Sequence, residues 1–223
     1  MGRAKTIVLR PVSGRDASAL VRRVHYSGRS VQNSNLHIGV FYAGRLEGAM
    51  QFGSPMDRRK VLPLVRGTLW NQMLELNRMA FSEALPRNSE SRAMAIAFRL
   101  LRKHRPDIKW VLSFADGTQC GDGTIYRASG FVLTSIKRNS TILRLPDGST
   151  VANKTLRNPN HTTATGGCGV AAAKKAGAVE LPGYQFRYIR FLDPTWRDRL
   201  TVPVIPFEKI PSDARMYRGK SKG

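Results

Sequence analysis

The hydrophobic pattern along the chain switches between a period of two and a period near 3.6, marking a series of strands and helices. Thr6–Arg10 (TIVLR) reads as a short strand closed by Pro11, and Gly14–Tyr26 carries Ala17, Leu20, Val21 and Val24 at helical spacing. Leu36–Tyr42 and Leu46–Phe52 are strands joined by Ala43-Gly44-Arg45 as a hairpin. Gly53–Asn71 reads as a long connection with Pro55, Pro63 and the run Asp57-Arg58-Arg59-Lys60. Its length suits either a functional loop or a plain solvated one.

Leu74–Phe81 is the next strand. Simple alternation puts Glu75, Asn77 and Met79 on one face and Leu74, Leu76, Arg78 and Ala80 on the other. Pro86 stops further pairing, and Asn88 is positioned to cap a helix over Ser89–Lys103. Arg99, Arg102, Lys103 and Arg105 gather near that helix's C-terminal end, where its dipole favours cations. Trp110–Ala115 is a buried strand, Thr124–Ser129 a short helix stopped by Gly130, and Phe131–Ile136 another strand. Asp147-Gly148 turns a hairpin between Thr141–Leu145 and Thr150–Val151. Asn158–Gly169 is polar and Gly-rich, Val170–Ala176 is Ala/Lys-rich with helical character, and Tyr184–Leu192 is a strand with Arg187 and Arg190 among aromatics. The fold class is α/β (α+β): one catalytic domain over residues 1–200, with a basic, Pro-punctuated tail that is flexible at its end.

Charge narrows the function. The 223 residues carry 37 Lys+Arg against 15 Asp+Glu, a net charge of +22 spread from Arg3 to Lys222. A field of that sign attracts polyanions and speeds their encounter, so nucleic acid is the expected partner, with an anionic small substrate or a membrane surface as the competing readings. Only Cys120 and Cys168 are present, which is no disulfide framework and points inside the cell. A zinc site from Cys120, His161 and Cys168 is conceivable, but incidental thiols explain them better, and no metal-ligand residues are assigned. No apolar run reaches membrane-spanning length, and MGRAKTIVLRP lacks a signal peptide's apolar core, so a cytoplasmic location is expected.

The order strand–helix–strand–strand–strand–helix–strand–short helix–strand resembles the GCN5-related N-acetyltransferase (GNAT) fold, a mixed, largely antiparallel sheet flanked by helices. Within it, HYSG at His25–Gly28, LELNRM at Leu74–Met79, RNSESR at Arg87–Arg92, SFADG at Ser113–Gly117, GTIYRASGF at Gly123–Phe131 and YQFRYIRFL near Tyr184 resemble the phage Mom family, over roughly residues 20–200. The resemblance implies an enzyme of bacteriophage DNA modification: adenine N6 is converted to a carbamoylmethyl-type adduct that protects phage DNA from host restriction. By the same resemblance acetyl-coenzyme A is the expected donor, its pyrophosphate on a helix N-terminus. Another aminoacyl-type donor or an additional metal is left open, because ordinary acyl transfer makes an N–C(=O) bond and a carbamoylmethyl adduct has an N–CH2 bond.

The residues offer matching chemistry. A helix N-terminus presents unpaired amides and a positive dipole end to phosphate. Here Arg87, Ser89, Ser91 and Arg92 add guanidinium and hydroxyl groups, and Ser113 on the neighbouring strand is a further donor contact. Against the usual Arg/Gln-x-x-Gly-x-Gly/Ala pattern, Glu90 and Arg92 replace small residues, so Arg92 would act through its side chain.

Adenine N6 is a poor nucleophile and needs proton removal as it attacks. Glu75 and Asp116 are the candidate bases, with Glu75 preferred because it shares a strand face with Asn77. Tyr126 is the candidate acid for a leaving thiolate. Each also has a plain structural reading: an ion pair of Glu75 with Arg78 or Arg92, and aromatic packing of Tyr126.

His25, Tyr26 and Arg78 are assigned to the acceptor. Arg58, Arg59, Lys60 and Arg66, with Lys174, Lys175, Arg187 and Arg190, are assigned to the DNA backbone. Tyr42, Phe52 or Tyr184 could stack on a base. A duplex base must be flipped out, or met in a single strand, to reach such a pocket. Two other readings stay open: an N-acetyltransferase acting on protein, RNA or a small amine, and a non-catalytic nucleic-acid binder.

Overall fold

The computed structural model describes residues 3–118, 121–139, 141–156 and 169–214. The chain divides into two compact units. Ten strands run in chain order: β1 (Val8–Pro11), β2 (Ser34–Tyr42), β3 (Arg45–Gly53), β4 (Met73–Phe81), β5 (Trp110–Asp116), β6 (Val132–Arg138), β7 (Ile142–Arg144), β8 (Thr150–Ala152), β9 (Val179–Glu180) and β10 (Tyr184–Phe191). The α-helices are α1 (Gly14–Val24), α2 (Arg58–Val61), α3 (Ser89–His104), α4 (Thr124–Ala128), α5 (Asn153–Leu156) and α6 (Val170–Lys175).

The first unit comprises Met1–Phe114, Gly123–Ser135 and Arg187–Lys209. Its sheet has the order β1-β2-β3-β4-β5-β10-β6. The first four strands are successive antiparallel neighbours, and β4 to β5 is parallel. This is the mixed, largely antiparallel sheet with helices that the element order implied.

Helix α1 starts at Ser13, whose hydroxyl accepts from Asp16 N. It buries Ala17 and Leu20 on Ala49 of β3. The sheet face under α1 is therefore the face of Ala49.

The stretch expected to be an irregular connection is partly helical. Asp57 caps α2 by accepting from Lys60 N, and its carboxylate pairs with the Lys60 ammonium at 3.1 Å. Past the cap, Val61, Leu64 and Val65 enter a core with Met73, Trp110, Leu112, Ile189, Phe191 and Trp196. Burial of these apolar positions, not local propensity, holds so short a helix. The buried Trp110 donates its indole N–H to Thr68 Oγ1 at 3.1 Å.

The expected tail is also part of the fold in its first half. Ile205 N donates to Leu133 O, and Phe207 stacks on Tyr188 with the Arg127 guanidinium over its ring.

The second unit comprises Ala115–Asp122, Ile136–Phe186 and Ile210–Gly223. It holds a three-stranded antiparallel sheet, β8-β7-β9, around Leu143, Val151, Leu156, Ala173 and Ala178. Asp147 makes the expected turn: its carboxylate accepts from Ser149 N, and Gly148 adopts φ 81°. Strand β9 was not foreseen. Cys120, His161, Cys168, most of Asn158–Gly169 and the end of the tail lie outside the described residues. No helix among the described residues is long and apolar enough to cross a membrane.

Candidate active site

Strand β4 departs from simple alternation, and the departure builds the site. Its register with β3 runs Gln51↔Arg78, then Phe52↔Leu76, then Gly53↔Glu75, so Asn77 is an extra residue on β4. Such a bulge resets which face each side chain takes. Ala49 packs on α1, Gln51 donates from Nε2 to Ser18 Oγ of α1, and Gly53 shares their face by alternation along β3. The partners Glu75, Arg78 and Ala80 therefore take that face, while Leu76 and Met79 take the other. The grouping expected from strict alternation, with Arg78 opposite Glu75, is thereby corrected.

At the same point β4 and β5 part. Their parallel ladder runs Met73↔Trp110, Leu74↔Val111 and Glu75↔Leu112, and no further pair follows among the described residues. Ser113 is fully buried, and its hydroxyl donates to Leu76 O at 3.3 Å, filling the first position where the ladder fails. Its side chain is thus engaged within the sheet.

Around this opening stand Glu75, Asn77, Arg78 and His25. Asn77 is buried and accepts from Ser34 Oγ at 2.9 Å. Its side chain also hydrogen-bonds Glu75. Burial pushes the Glu75 carboxyl up to about 7, against the opposing pull of the Asn77 hydrogen bond and the Arg78 charge. Arg78 donates from Nη1 to Asn77 O at 2.8 Å and from Nε to Arg29 O at 3.3 Å, tying β4 to the turn after α1.

In that turn His25 N closes α1 on Val21 O, and Gly28, at φ 59°, donates its N–H to His25 O. Burial, helped by the Arg78 charge, lowers His25 to about 4, so its ring is neutral at pH 7. Ser27 N donates to His25 Nδ1 at 3.1 Å. The ring proton therefore sits on Nε2, and His25 is a hydrogen-bond donor there. Tyr26 packs its ring 4.2 Å from that of His25 and is 52% exposed.

Four residues expected from sequence, Glu75, Asn77, Arg78 and His25, thus come together, with Tyr26 at the rim. Ser27, Arg29 and Ser34, which were not foreseen, hold them. Ser27 does lie in the HYSG stretch, whereas Ser34 and the Arg29 backbone carbonyl leave no sequence signature.

The start of α3 is the second part. Asn88 does stand at the N-cap position but adopts φ 70°, and its side chain makes no cap hydrogen bond, contrary to expectation. The left-handed backbone turns the chain in its place. Ser89 is buried and donates its hydroxyl to Pro86 O, and Ser91 donates to Asn88 O. The first helical bond is Arg92 N to Asn88 O, which leaves the amides of Glu90 and Ser91 at the open end of a 16-residue helix. Arg87 and Arg92 are exposed beside it. The open end of α3 thus presents amides beside two exposed guanidinium groups, while the two serine hydroxyls are engaged with backbone carbonyls.

The remaining candidates are spread. Tyr126 on α4 is buried against Phe131 and Tyr188. Asp116 belongs to the second unit, where its carboxylate accepts from Thr118 N at 2.9 Å. Arg58, Arg59 and Lys60 form one exposed basic turn, with Arg58 over the Trp70 ring. Arg187 donates to Thr134 Oγ1 and O, Arg190 to Gly130 O, and Lys174 pairs with Glu180. Of the aromatics considered for stacking, Phe52 is fully buried and is excluded. No three His, Cys, Asp or Glu side chains among the described residues form a metal-ligand group.

The chain is 37% identical over 197 residues to "Methylcarbamoylase mom" of Escherichia phage Mu, covering 87% of this chain and 79% of that protein. Among solved structures it is similar to a Bacillus subtilis acetyltransferase in complex with CoA (11% identity, TM-score 0.46, 83% of this chain and 97% of that one). It is likewise similar to a GNAT family acetyltransferase from Elizabethkingia anophelis with acetyl-CoA bound (12%, TM-score 0.43, 83% and 98%). The profile of the Mom protein family matches residues 6–209, and the chain belongs to that family.

Proposed function

We propose that this chain modifies adenine in DNA, adding a carbamoylmethyl-type group at the exocyclic N6 and so shielding bacteriophage DNA from restriction. Membership of the Mom family and the "methylcarbamoylase" name of the phage Mu relative support the reaction class. The observation that carries the reading is Glu75: a carboxyl pushed up to about 7, standing where β4 and β5 part. A group at that position on the pH scale is ionised enough to accept a proton and basic enough to want one.

In this reading Glu75 takes the N6 proton as the amine attacks, and Asn77 holds the carboxylate in place. His25 Nε2–H donates to a ring nitrogen of the adenine, and Tyr26 offers an exposed ring for stacking. A coenzyme A-type donor would be held by its pyrophosphate on the α3 amides between Arg87 and Arg92. Attack of N6 at a thioester carbonyl would leave an N-acetyl group and expel the thiolate. The N–CH2 bond of a carbamoylmethyl group therefore calls for a donor that carries its leaving group on the methylene carbon of an acetamide unit, the leaving group departing as the N6 proton passes to Glu75. The basic turn Arg58-Arg59-Lys60 grips the DNA backbone, and the adenine is extruded to reach Glu75.

Mass spectrometry of nucleosides from DNA of cells expressing the chain tests the reading. An additional adenine derivative is expected. An unmodified adenine profile under verified expression contradicts it.

A further inference from the structure

Met56 is the most exposed large apolar side chain among the described residues, at 73%, yet the backbone on both sides of it is held. Just before it, Gly53 is the register partner of Glu75. A Cβ on Gly53 would lie 1.8 Å from Asn33 O, so the chain leaves the sheet through a passage only glycine fits. Ser54 N then donates to Asn33 O at 3.1 Å, and Asn33 Nδ2 donates to Ser54 O at 2.5 Å. Pro55 is buried, its φ fixed by the ring. Just after Met56, Asp57 is locked to Lys60 by the cap and the ion pair. Met56 is therefore the tip of a braced knuckle that projects three residues beyond the strand position facing Glu75.

A single exposed apolar side chain is ordinary; what sets Met56 apart is that its backbone is braced on both sides and that the exposed cations Arg58, Arg59 and Lys60 follow at once. A partner that meets both is polyanionic outside and apolar in its interior. A DNA duplex has both properties: phosphates outside and stacked bases within. Proteins that distort duplexes use an apolar wedge flanked by phosphate contacts. Methionine is unbranched and adaptable, able to enter a gap of base thickness.

We propose that Met56 is the wedge that enters the duplex and fills the space vacated by the extruded adenine, while Arg58, Arg59 and Lys60 hold the flanking phosphates. This rests on the DNA-adenine reading above and adds to it the residue that makes a paired base accessible. Leu69, 63% exposed, is the natural comparison, because it precedes the end of β4 that is still laddered to β5.

The test uses extracts of cells expressing full-length wild type, Met56→Ala, Met56→Leu or Leu69→Ala, so that the cell supplies the donor. Each extract is given fully paired duplex, or the same duplex with its adenines opposite abasic sites, and modified adenine is quantified. Met56→Ala is expected to lose at least about tenfold on paired DNA, as the wedge no longer offsets unstacking, and to match wild type on unpaired adenine. Met56→Leu is expected to restore the paired substrate, and Leu69→Ala to behave as wild type on both.

Equal losses of Met56→Ala on the two DNAs, no loss on paired DNA, loss with Leu69→Ala instead, or a wild type active only on paired adenine would overturn the proposal. A wild type that modifies neither DNA overturns the adenine-modification reading itself, a separate result.

Discussion

Glu75 and Arg78 face the same way across the sheet because Asn77 is an extra residue between them. Without that bulge the guanidinium would point to the opposite face, and the carboxyl would lose a nearby positive charge. Asn77 serves twice, as the residue that resets the register and as a hydrogen-bond partner of Glu75.

The first expected outcome concerns pH and rate. With Glu75 near 7 as the proton acceptor, the modification rate rises with pH through about 7 and levels above it. Asn77→Ala removes a hydrogen bond that favours the ionised form, so the rising limb should move to higher pH. A limb that stays in place would separate Asn77 from the Glu75 carboxyl.

The second concerns stability. Between 4.5 and about 7 the folded chain keeps a proton on Glu75 that the unfolded chain has released. Raising the pH through that window therefore removes stability, ~3 kcal/mol at full effect. His25 works in the opposite sense. From 6.5 down to about 4 the unfolded chain binds a proton that the folded chain refuses, so acid costs stability there. Glu75→Gln should be more stable than wild type at pH 8 by up to ~3 kcal/mol, with the advantage shrinking as the pH approaches 4.5. Denaturant unfolding of both proteins at several pH values measures this.

The third concerns Gly53. Its absent Cβ would meet the backbone oxygen of Asn33, which cannot swing aside as a side chain end could. Gly53→Ala should destabilise by roughly 2–4 kcal/mol, the range of severe steric substitutions. It should also lower activity more than stability alone explains, because the strand end opposite Glu75 is displaced.

The fourth concerns the basic turn. Replacing Arg58, Arg59 and Lys60 by Gln should weaken binding to all DNA sequences alike. It should also flatten the dependence of log K on log salt by about one for each phosphate that is no longer gripped. An unchanged salt slope would place the DNA elsewhere.

Much of this was legible in the sequence, for definite reasons. β4, α3 and β5 announce themselves because long apolar runs of one period leave little ambiguity. Glu75 and Asn77 stood out as polar groups near a strand end, and His25 through the HYSG stretch that resembles the Mom family. The bulge at Asn77 was not legible, since it exists only in the pairing of β4 with β3. Helix α2 was missed because its four residues have no period of their own; it is fixed by Asp57 and by Val61, Leu64 and Val65 reaching Trp110. Asn88 has the identity of a capping residue, but its φ of 70° follows from how the chain turns between β4 and α3, which no local pattern records.

The most direct test compares nucleosides from DNA of cells expressing wild type and Glu75→Gln, with duplex binding by the purified proteins measured alongside. The account predicts an adenine derivative with wild type, at least ~100-fold less of it with Glu75→Gln, and unchanged duplex affinity. A Glu75→Gln protein that modifies adenine at the wild-type level would contradict it.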